Sequence, residues 1–247
     1  MLELTRKFGQ HASMDKLEIE RRFVPENPEW RPSGEGESIT QGIFELGHDA
    51  QGVIQYLMGM PLFRLYAPAE NDSRLTHHLP IFDGAALFRH AESPRFSMMG
   101  MTAQLPQSWK ARVRSHDGKR HVIDIKGPRS GPTRLEFGAY NLPLAKGAEL
   151  LAIAPKKQSK IRFYIPHEDH IWHVDVNGPD HPLPVICEVE LKSADEALKL
   201  PPWVGQEITD LKISEIKAAP ENEAVLMVEV RTGRNNMLQR PVGYFPI

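Results

Sequence analysis

Apolar and charged residues alternate along many short segments of this chain. The first segment, residues 17–23, places Glu18, Glu20 and Arg22 at every second position, with mostly apolar residues between them. Because successive side chains of a strand point to opposite faces, this spacing predicts a strand with one charged and one apolar face. In an antiparallel sheet such a charged face usually meets solvent, so this strand alone does not indicate a functional site.

The same alternation recurs in further segments, which are residues 111–114, 122–126, 133–137, 160–163, 172–176 and 186–191. In the last of them, Glu188 and Glu190 repeat the spacing of Glu18 and Glu20. If helices cover the apolar faces from outside, the charged faces converge inside a barrel. An interior lined by arginines, lysines and carboxylates suits a polyanion together with a divalent metal ion.

The charged motifs also occur along the chain in the same order as the motifs of one known family. They are Glu18-Ile19-Glu20-Arg21-Arg22, Ile39–Gly42, Arg112–Arg114, Ile125–Pro128, Arg134–Phe137, Lys160–Arg162, Trp172–Asp175, Glu188–Leu191 and Pro202–Thr209. Together they resemble the CYTH superfamily, or triphosphate tunnel metalloenzymes, over residues 16 to 45 and 109 to about 210. The resemblance implies an α+β fold: a closed or nearly closed antiparallel eight-stranded β-barrel with helices packed outside.

The resemblance also implies a site for a triphosphate, whose negative charge requires several cations. The expected substrate-binding residues are Arg22, Arg112, Arg114, Lys126, Arg134, Lys160 and Arg162. The expected ligands of a Mg²⁺ or Mn²⁺ ion are Glu18, Glu20, Glu188, Glu190 and Asp175. Lys160, Glu136 and Arg22 are the expected catalytic residues.

The function that follows is metal-dependent hydrolysis of inorganic tripolyphosphate, a nucleoside triphosphate or thiamine triphosphate. Two alternatives stay open: a non-catalytic module that binds triphosphate or polyphosphate, and, less favoured, an adenylate cyclase of the same family. The cyclase is less favoured because no adenine pocket can be recognised in the sequence. The expected partner is a small molecule containing a triphosphate, with no nucleic acid and no membrane, and a homodimer is left open.

Three departures from the family pattern favour the binding alternative. Arg22 stands where the family has a lysine, and an arginine cannot give up its proton at working pH. Gly138 stands where a second glutamate usually follows Glu136. Residues 46–108 fill a place where the family has only a short connection.

We expect a single domain over residues 1–247, with an insertion at about 46–108 and a C-terminal extension from about 211. The insertion is too apolar for a disordered linker and should fold against the barrel. Its predicted parts are a helix or strand at 51–58, a strand at 61–66, polar turns at 67–80 and a helical turn at 85–91. Its histidines, His77, His78 and His90, are expected on the surface rather than on a metal ion.

Outside the insertion, helices are predicted at 143–153 and 194–200, and a further strand at 224–231. The apolar tail, residues 233–247, is expected to pack on this subunit or on a neighbour.

Composition adds few constraints. The net charge of −2 gives no reason to expect nucleic acid or an acidic membrane as a partner. The single cysteine, Cys187, excludes an internal disulfide and should be a buried, inert thiol on the apolar face of its strand. No secretory signal or membrane span is evident, so we expect a cytoplasmic protein.

Overall fold

The computed structural model describes residues 17–57, 60–67, 75–80, 84–97, 100–211, 225–231 and 237–244. The strands are β1 (Leu17–Pro25), β2 (Glu37–Glu45), β3 (Gln51–Leu57), β4 (Met60–Ala67), β5 (Leu75–Pro80), β6 (Glu92–Ser97), β7 (Gly100–Gln104), β8 (Lys110–His116), β9 (Arg120–Ser130), β10 (Thr133–Leu142), β11 (Lys156–His167), β12 (His170–Asn177), β13 (Val185–Glu190), β14 (Val204–Glu207), β15 (Val225–Arg231) and β16 (Met237–Tyr244). The helices are α1 (Gly84–Arg89) and α2 (Leu144–Ile153).

Nine strands form one sheet in the order β10-β9-β8-β2-β11-β12-β13-β1-β14, and β10 also pairs with β1. The eight strands from β10 to β1 therefore close into an antiparallel barrel, which confirms the predicted fold class. Every segment in which the alternation predicted a strand lies in one of β1 and β8–β13. The remaining strands form a five-stranded sheet, β5-β4-β3-β7-β6, and a β15–β16 hairpin.

The chain divides into two compact units. Unit 1 consists of the described parts of Met1–Glu18, Gln41–Arg129 and Arg134–Lys157, and unit 2 of those of Ile19–Thr40, Ser130–Thr133 and Gln158–Ile247.

In unit 1, the pairing of β8 with β9 separates an apolar from a charged face. Ala111 lies opposite Ile125 and Val113 opposite Ile123, and all four side chains are buried in one apolar cluster. Helix α2 packs against β8 and adds the buried Leu150 to that cluster. The predicted helix at 143–153 is thus confirmed, and it covers the apolar face of its strand.

The insertion in unit 1 shares this apolar cluster instead of having a core of its own. Ile54, Phe63 and Leu87, from β3, β4 and α1, are fully buried in the same cluster as Val113 and Phe137. Exclusion of these large side chains from water explains why such a long insertion folds against the barrel strands. The predicted strand at 61–66 and the helical turn at 85–91 are confirmed, and residues 51–57 form a strand, not a helix.

Two predictions within the insertion were wrong. The segment 67–80 contains the strand β5 and not only turns, because pairing with β4 satisfies its backbone hydrogen bonds whatever its side-chain polarity. His90 is half-buried, with its ring 5.7 Å from that of Trp109 and 6.0 Å from that of Phe137, so it is not a surface histidine. The side chains of His77 and His78 lie outside the described residues.

In unit 2, the apolar face of β1, β12 and β13 forms a second cluster. It contains Phe23, Trp172, Val174, Val185, Cys187, Val189, Leu191 and Val204. Trp203 packs against it, stacked on Trp30 at a centroid distance of 4.7 Å and edge-on to Trp172 at 5.7 Å. Cys187 is fully buried, and burial raises the pKa of its thiol to about 12, in accord with the predicted inert thiol.

The predicted helix at 194–200 is wrong. The carboxylate of Glu196 accepts a hydrogen bond from the backbone N–H of Lys192 at 2.5 Å and lies 3.0 Å from His170 Nε2, so the segment is tied to β12 through its side chain. Pro201 and Pro202 follow directly, and the residue before a proline disfavours the helical region. Neither described helix has the length and hydropathy needed to cross a membrane.

The predicted strand at 224–231 is confirmed as β15, and the tail forms β16. The two strands pair antiparallel, with Val230 opposite Leu238. The tail strand β16 therefore pairs with β15, and whether the hairpin packs on this subunit or on a neighbour stays a prediction.

Candidate functional site

The charged face of β8 and β9 in unit 1 is organised around a buried aspartate, Asp124. It lies directly opposite Arg112 and has no solvent-exposed surface. Arg112 donates from Nε to Asp124 Oδ1 at 3.0 Å and from Nη2 to Oδ2 at 3.1 Å. Arg114 Nη2 lies 2.9 Å from the same Oδ2. One carboxylate thus holds two of the predicted substrate-binding arginines.

The other two predicted cations of unit 1 surround a pair of glutamates. Lys126 Nζ lies 3.2 Å from Glu18 Oε1 and also contacts the carboxylate of Glu136. Arg134 Nε contacts the second oxygen of Glu18. Glu136 is further 3.9 Å from Arg112 Nη2, so the glutamate pair and the aspartate belong to one charged cluster. Within unit 1, the structure brings together all the cations that the sequence assigned to these strands.

The two glutamates titrate in opposite directions. Burial raises the pKa of Glu136 to about 7 against the attraction of Lys126, and the neighbouring Glu18 raises it further. Burial also disfavours the charged form of Glu18, but Lys126 and hydrogen bonds with Glu136 and Arg134 hold its pKa well below the usual range. At neutral pH the pair therefore keeps Glu18 ionised and leaves Glu136 close to its midpoint, where a carboxyl can act as acid or base.

Unit 2 carries a second charged face, made by the facing residues of four strands. The cross-strand pairs between β11 and β12 are Lys160 with Asn177, Arg162 with Asp175, and Tyr164 with His173. On the far side of β12, His173 lies opposite Glu188 of β13, and Glu188 lies opposite Arg22 of β1. Because paired residues share a face, these side chains belong to one face, opposite the cluster that contains Cys187.

Asp175 organises this second face as Asp124 organises the first. Arg162 donates from Nε to Oδ1 and from Nη2 to Oδ2 of Asp175, both at 2.7 Å, and Lys160 contacts Oδ2. Arg162 Nη2 also donates to Glu188 Oε2 at 2.8 Å. Burial lowers the pKa of Lys160, while Asp175 opposes that shift. The structure thus gives Asp175, a predicted metal ligand, two cationic partners.

Glu20 and Glu190 are the facing carboxylates of β1 and β13, and Glu20 is buried while Glu190 is exposed. Among the described residues, no group of three or more histidine, cysteine, aspartate or glutamate side chains is placed to hold a metal ion. A pair of facing carboxylates fits Mg²⁺ that keeps phosphate oxygens as its other ligands.

Arg22, a predicted catalytic and substrate-binding residue, is hydrogen-bonded to the backbone of the segment that follows β14 in unit 2. Its Nη2 donates to the carbonyls of Thr209 at 2.9 Å and Leu211 at 3.0 Å. Its backbone N–H donates to Thr209 Oγ1 at 3.0 Å. The guanidinium thus joins β1 to the chain that follows β14.

Sequence reasoning did not assign a role to Asp124 or His173. For Asp124 only part of the signal was present, because Asp117-Gly118 between alternating segments is typical of a hairpin. A two-residue turn there would place Asp124 opposite Ala111; in the structure the loop has three residues, 117–119, and this register places Asp124 opposite Arg112. For His173 the sequence offers no signal that distinguishes a functional histidine from any other strand residue. In the structure its Nδ1 lies 3.4 Å from Arg162 Nη1, and burial and that arginine lower its pKa.

No protein-family model matches this chain. Two solved structures, named as the hypothetical protein NE1496 and the inorganic triphosphatase NE1496, each cover 78% of this chain at 18% identity. The alignments span 90% and 89% of those chains, with TM-scores of 0.38 and 0.37.

One curated relative from Acetivibrio thermocellus is named inorganic triphosphatase. It is 32% identical over 100 residues, which are 40% of this chain and 63% of that protein. The chain therefore spans less than two thirds of the relative's length, and it is similar over that stretch to a protein named an inorganic triphosphatase.

Proposed function

We propose that this protein hydrolyses a triphosphate, with inorganic tripolyphosphate as the first candidate substrate. The observation that carries the proposal is the concentration of cations on one face of unit 1, in a chain whose net charge is −2. That face holds Arg112, Arg114, Lys126 and Arg134, none of them more than about a fifth exposed at the side chain. The similarity to a protein named inorganic triphosphatase supports the same substrate class.

A cluster of this kind is an expensive way to gain stability. Buried ion pairs lose much of their mutual attraction to desolvation, and apolar side chains of similar volume would serve a structural purpose as well. Guanidinium groups, by contrast, match the oxygens of phosphate in a fixed fork. Binding of a polyphosphate explains why so many desolvated cations are kept on one face.

The proposed reaction transfers the terminal phosphoryl group to water. The water oxygen bonds to the terminal phosphorus, the bridging P–O bond breaks, and orthophosphate and diphosphate are released. Glu136, whose pKa lies at about 7 beside Lys126, is the group of unit 1 that accepts the proton of water at neutral pH. Lys160 of unit 2, whose ammonium contacts Asp175, is proposed as a further catalytic residue.

Mg²⁺ or Mn²⁺ is proposed to enter as the complex of the triphosphate, and it would supply charge neutralisation at the phosphate oxygens. Glu20 and Glu190 would hold it in unit 2, with Glu188 two residues along β13 on the same face. Glu18 and Asp175, the other predicted ligands, would instead hold cations of the protein, as they do in this structure.

A second candidate function, a non-catalytic triphosphate-binding module, is favoured by a specific observation. Arg22, an expected catalytic residue, donates hydrogen bonds to the backbone carbonyls of Thr209 and Leu211. A protein whose Arg22 is engaged in this way would keep the affinity of its other cations for phosphate while lacking turnover.

The deciding experiment incubates the full chain with tripolyphosphate and Mg²⁺ or Mn²⁺ and measures released phosphate, with ATP and thiamine triphosphate in parallel. Calorimetric binding of tripolyphosphate is measured in the same buffers. Turnover supports the hydrolase, binding without turnover with every triphosphate supports the module, and neither turnover nor binding rejects both. Cyclic AMP formed from ATP would point to the cyclase alternative.

Arg112→Gln tests whether the charged face of unit 1 is the site. We expect affinity for tripolyphosphate to fall by about tenfold or more, because a charge-assisted bidentate contact is lost. Arg120→Gln is the matched control: it makes the same chemical change at the exposed start of β9 and should leave affinity unchanged. Equal losses in both variants would show that net charge, and not this face, governs binding.

A further inference from the structure

The cation face of unit 1 contains a residue whose role the substrate-binding scheme does not explain. Asp124 adds a negative charge to a surface that is proposed to bind an anion, and it has no solvent-exposed surface. An unneeded carboxylate there would weaken phosphate binding, since like charges repel. Its position therefore calls for a compensating benefit.

The contacts of Asp124 indicate what that benefit is. Its carboxylate accepts hydrogen bonds from Nε and Nη2 of Arg112 and forms an ion pair with Nη2 of Arg114. These contacts fix the plane of the Arg112 guanidinium and anchor that of Arg114. These bonds use Nε and Nη2 of Arg112 and leave Nη1 as the donor that would meet a ligand. A long arginine side chain otherwise loses conformational entropy when a ligand immobilises it.

The same arrangement occurs independently in unit 2. Arg162 and Asp175 are also directly opposed on neighbouring strands and joined through Nε and Nη2, with Lys160 as a second cation on the same carboxylate. Asp175 is 2% exposed. Two hairpins with different sequences thus hold an arginine by the same two-point contact with the opposite aspartate. This repetition indicates that the contact is a shared feature of the two charged faces.

Gly138 on β10 lies so close to Asp124 that there is no room for a side chain at residue 138. A Cβ at residue 138 would lie 2.8 Å from Asp124 Cβ and 2.9 Å from its Cα, and the φ of Gly138 is +146°. Both the contact and the backbone angle exclude a larger side chain without strain. A side chain at residue 138 would therefore press on Asp124.

We infer that Asp124 is a positioning residue, which holds Arg112 and Arg114 in the orientation that binds the triphosphate. The inference rests on the proposed function. It makes Asp124 act through the arginines and not on the substrate, so its removal should weaken phosphate binding even though the face becomes more positive.

The sign of the effect on affinity is the test. Calorimetry measures the Kd of tripolyphosphate for the wild type and for Asp124→Asn, which removes the charge but keeps the shape. Positioning predicts a Kd raised by about tenfold or more, since small displacements of binding groups are costly. A lowered Kd, as expected if Asp124 only screens the cations, would overturn the inference, and so would an unchanged Kd with a lower Tm, as expected of a purely structural role.

Two controls keep the result interpretable. Asp117→Asn makes the same chemical change at an exposed residue in the turn of the same hairpin and should leave Kd unchanged. Gly138→Ala pushes on Asp124 without altering charge, so it should raise Kd in the same direction as Asp124→Asn. A Gly138→Ala variant that binds as tightly as the wild type would contradict the inference.

A measurement on the wild type covers the case in which Asp124→Asn and Gly138→Ala do not fold. The Nε–H resonance of Arg112, assigned by its loss in Arg112→Lys, should exchange slowly with solvent and stay so when tripolyphosphate is added. Fast exchange of the Nε–H with solvent, or a change of its hydrogen-bond partner from Asp124 to tripolyphosphate, would overturn the inference. A wild type that neither binds nor hydrolyses tripolyphosphate instead rejects the proposed function itself.

Discussion

Replacing Glu136 with glutamine should change how the stability of this protein depends on pH. The pKa of Glu136 is raised from 4.5 to about 7 in the folded protein, chiefly by burial. Each pKa unit corresponds to 1.36 kcal/mol, so ionising this carboxyl in the fold costs about 3 kcal/mol relative to the unfolded chain. The glutamine of the variant cannot ionise and avoids that cost.

The sign follows from proton binding. Between about pH 4.5 and pH 7 the folded wild type holds a proton on Glu136 that the unfolded chain has released, so its stability falls as pH rises through this window. The groups that face Glu136 are Glu18, Lys126, Asp124 and Arg112. The lowered pKa of Glu18 acts in a different window, because its contribution is lost only as pH falls below the unfolded value.

The assay is urea unfolding at about pH 5 and about pH 8 in the presence of a chelator. At the lower pH, protonated Glu136 resembles glutamine and the two proteins should have similar stability. At the higher pH, Glu136→Gln should be more stable by about 3 kcal/mol. Glu92→Gln, at an exposed position of β6, is the control and should not change with pH. A stability difference between Glu136→Gln and wild type that is the same at both pH values would refute the reasoning.

Further predictions concern the metal, the core and the thiol. Glu190→Gln should weaken the Mn²⁺-dependent part of triphosphate binding by about tenfold or more, because hard cations prefer charged oxygen ligands; calorimetry with and without Mn²⁺ that gives wild-type values would remove Glu190 from the metal scheme. Phe63→Ala should destabilise the protein by about 3 to 5 kcal/mol, since its fully buried ring packs in the cluster that the insertion shares with the barrel strands; an effect under about 1 kcal/mol in urea unfolding would mean that the insertion contributes little to that core. Cys187 should resist alkylation in the native protein and react only on unfolding, since burial raises its thiol pKa to about 12; rapid native alkylation followed by mass spectrometry would contradict this.

The strands of the barrel could be predicted because their alternation has the two-residue period of a half-buried sheet. Arg112, Asp124 and Arg162 fall on charged faces for the same reason that their apolar neighbours fall in the core. Pairing partners depend on the exact length of the turn: Asp117-Gly118 predicts the β8–β9 hairpin, but the loop has three residues, 117–119, and the pairing is shifted by one residue from that of a two-residue turn. The opposition of Glu20 to Glu190 joins strands distant in the sequence, and alternation alone does not determine it.

What could not be predicted depends on tertiary contacts. The segment that contains β5 has no apolar alternation, and it forms a strand because β4 offers a partner. The segment 194–200 has helix-forming residues, but Pro201 and Pro202 follow it directly, and its Glu196 side chain contacts His170 of β12. The assignment of Asp175 came from family resemblance, while its actual partners, Arg162 and Lys160, are set by the β11–β12 register.

The four tryptophans of the chain make the two units separately observable by spectroscopy. Trp30, Trp172 and Trp203 lie together in unit 2, and the parallel stack of Trp30 on Trp203 brings two indole rings within the range of exciton coupling. Trp109 lies alone among them in unit 1, against Phe137 and His90. Near-ultraviolet circular dichroism therefore reports mainly on unit 2, and a Trp109→Phe variant confines the indole fluorescence to that unit. Comparing the variant with the wild type during unfolding would reveal whether unit 1 melts with unit 2 or before it.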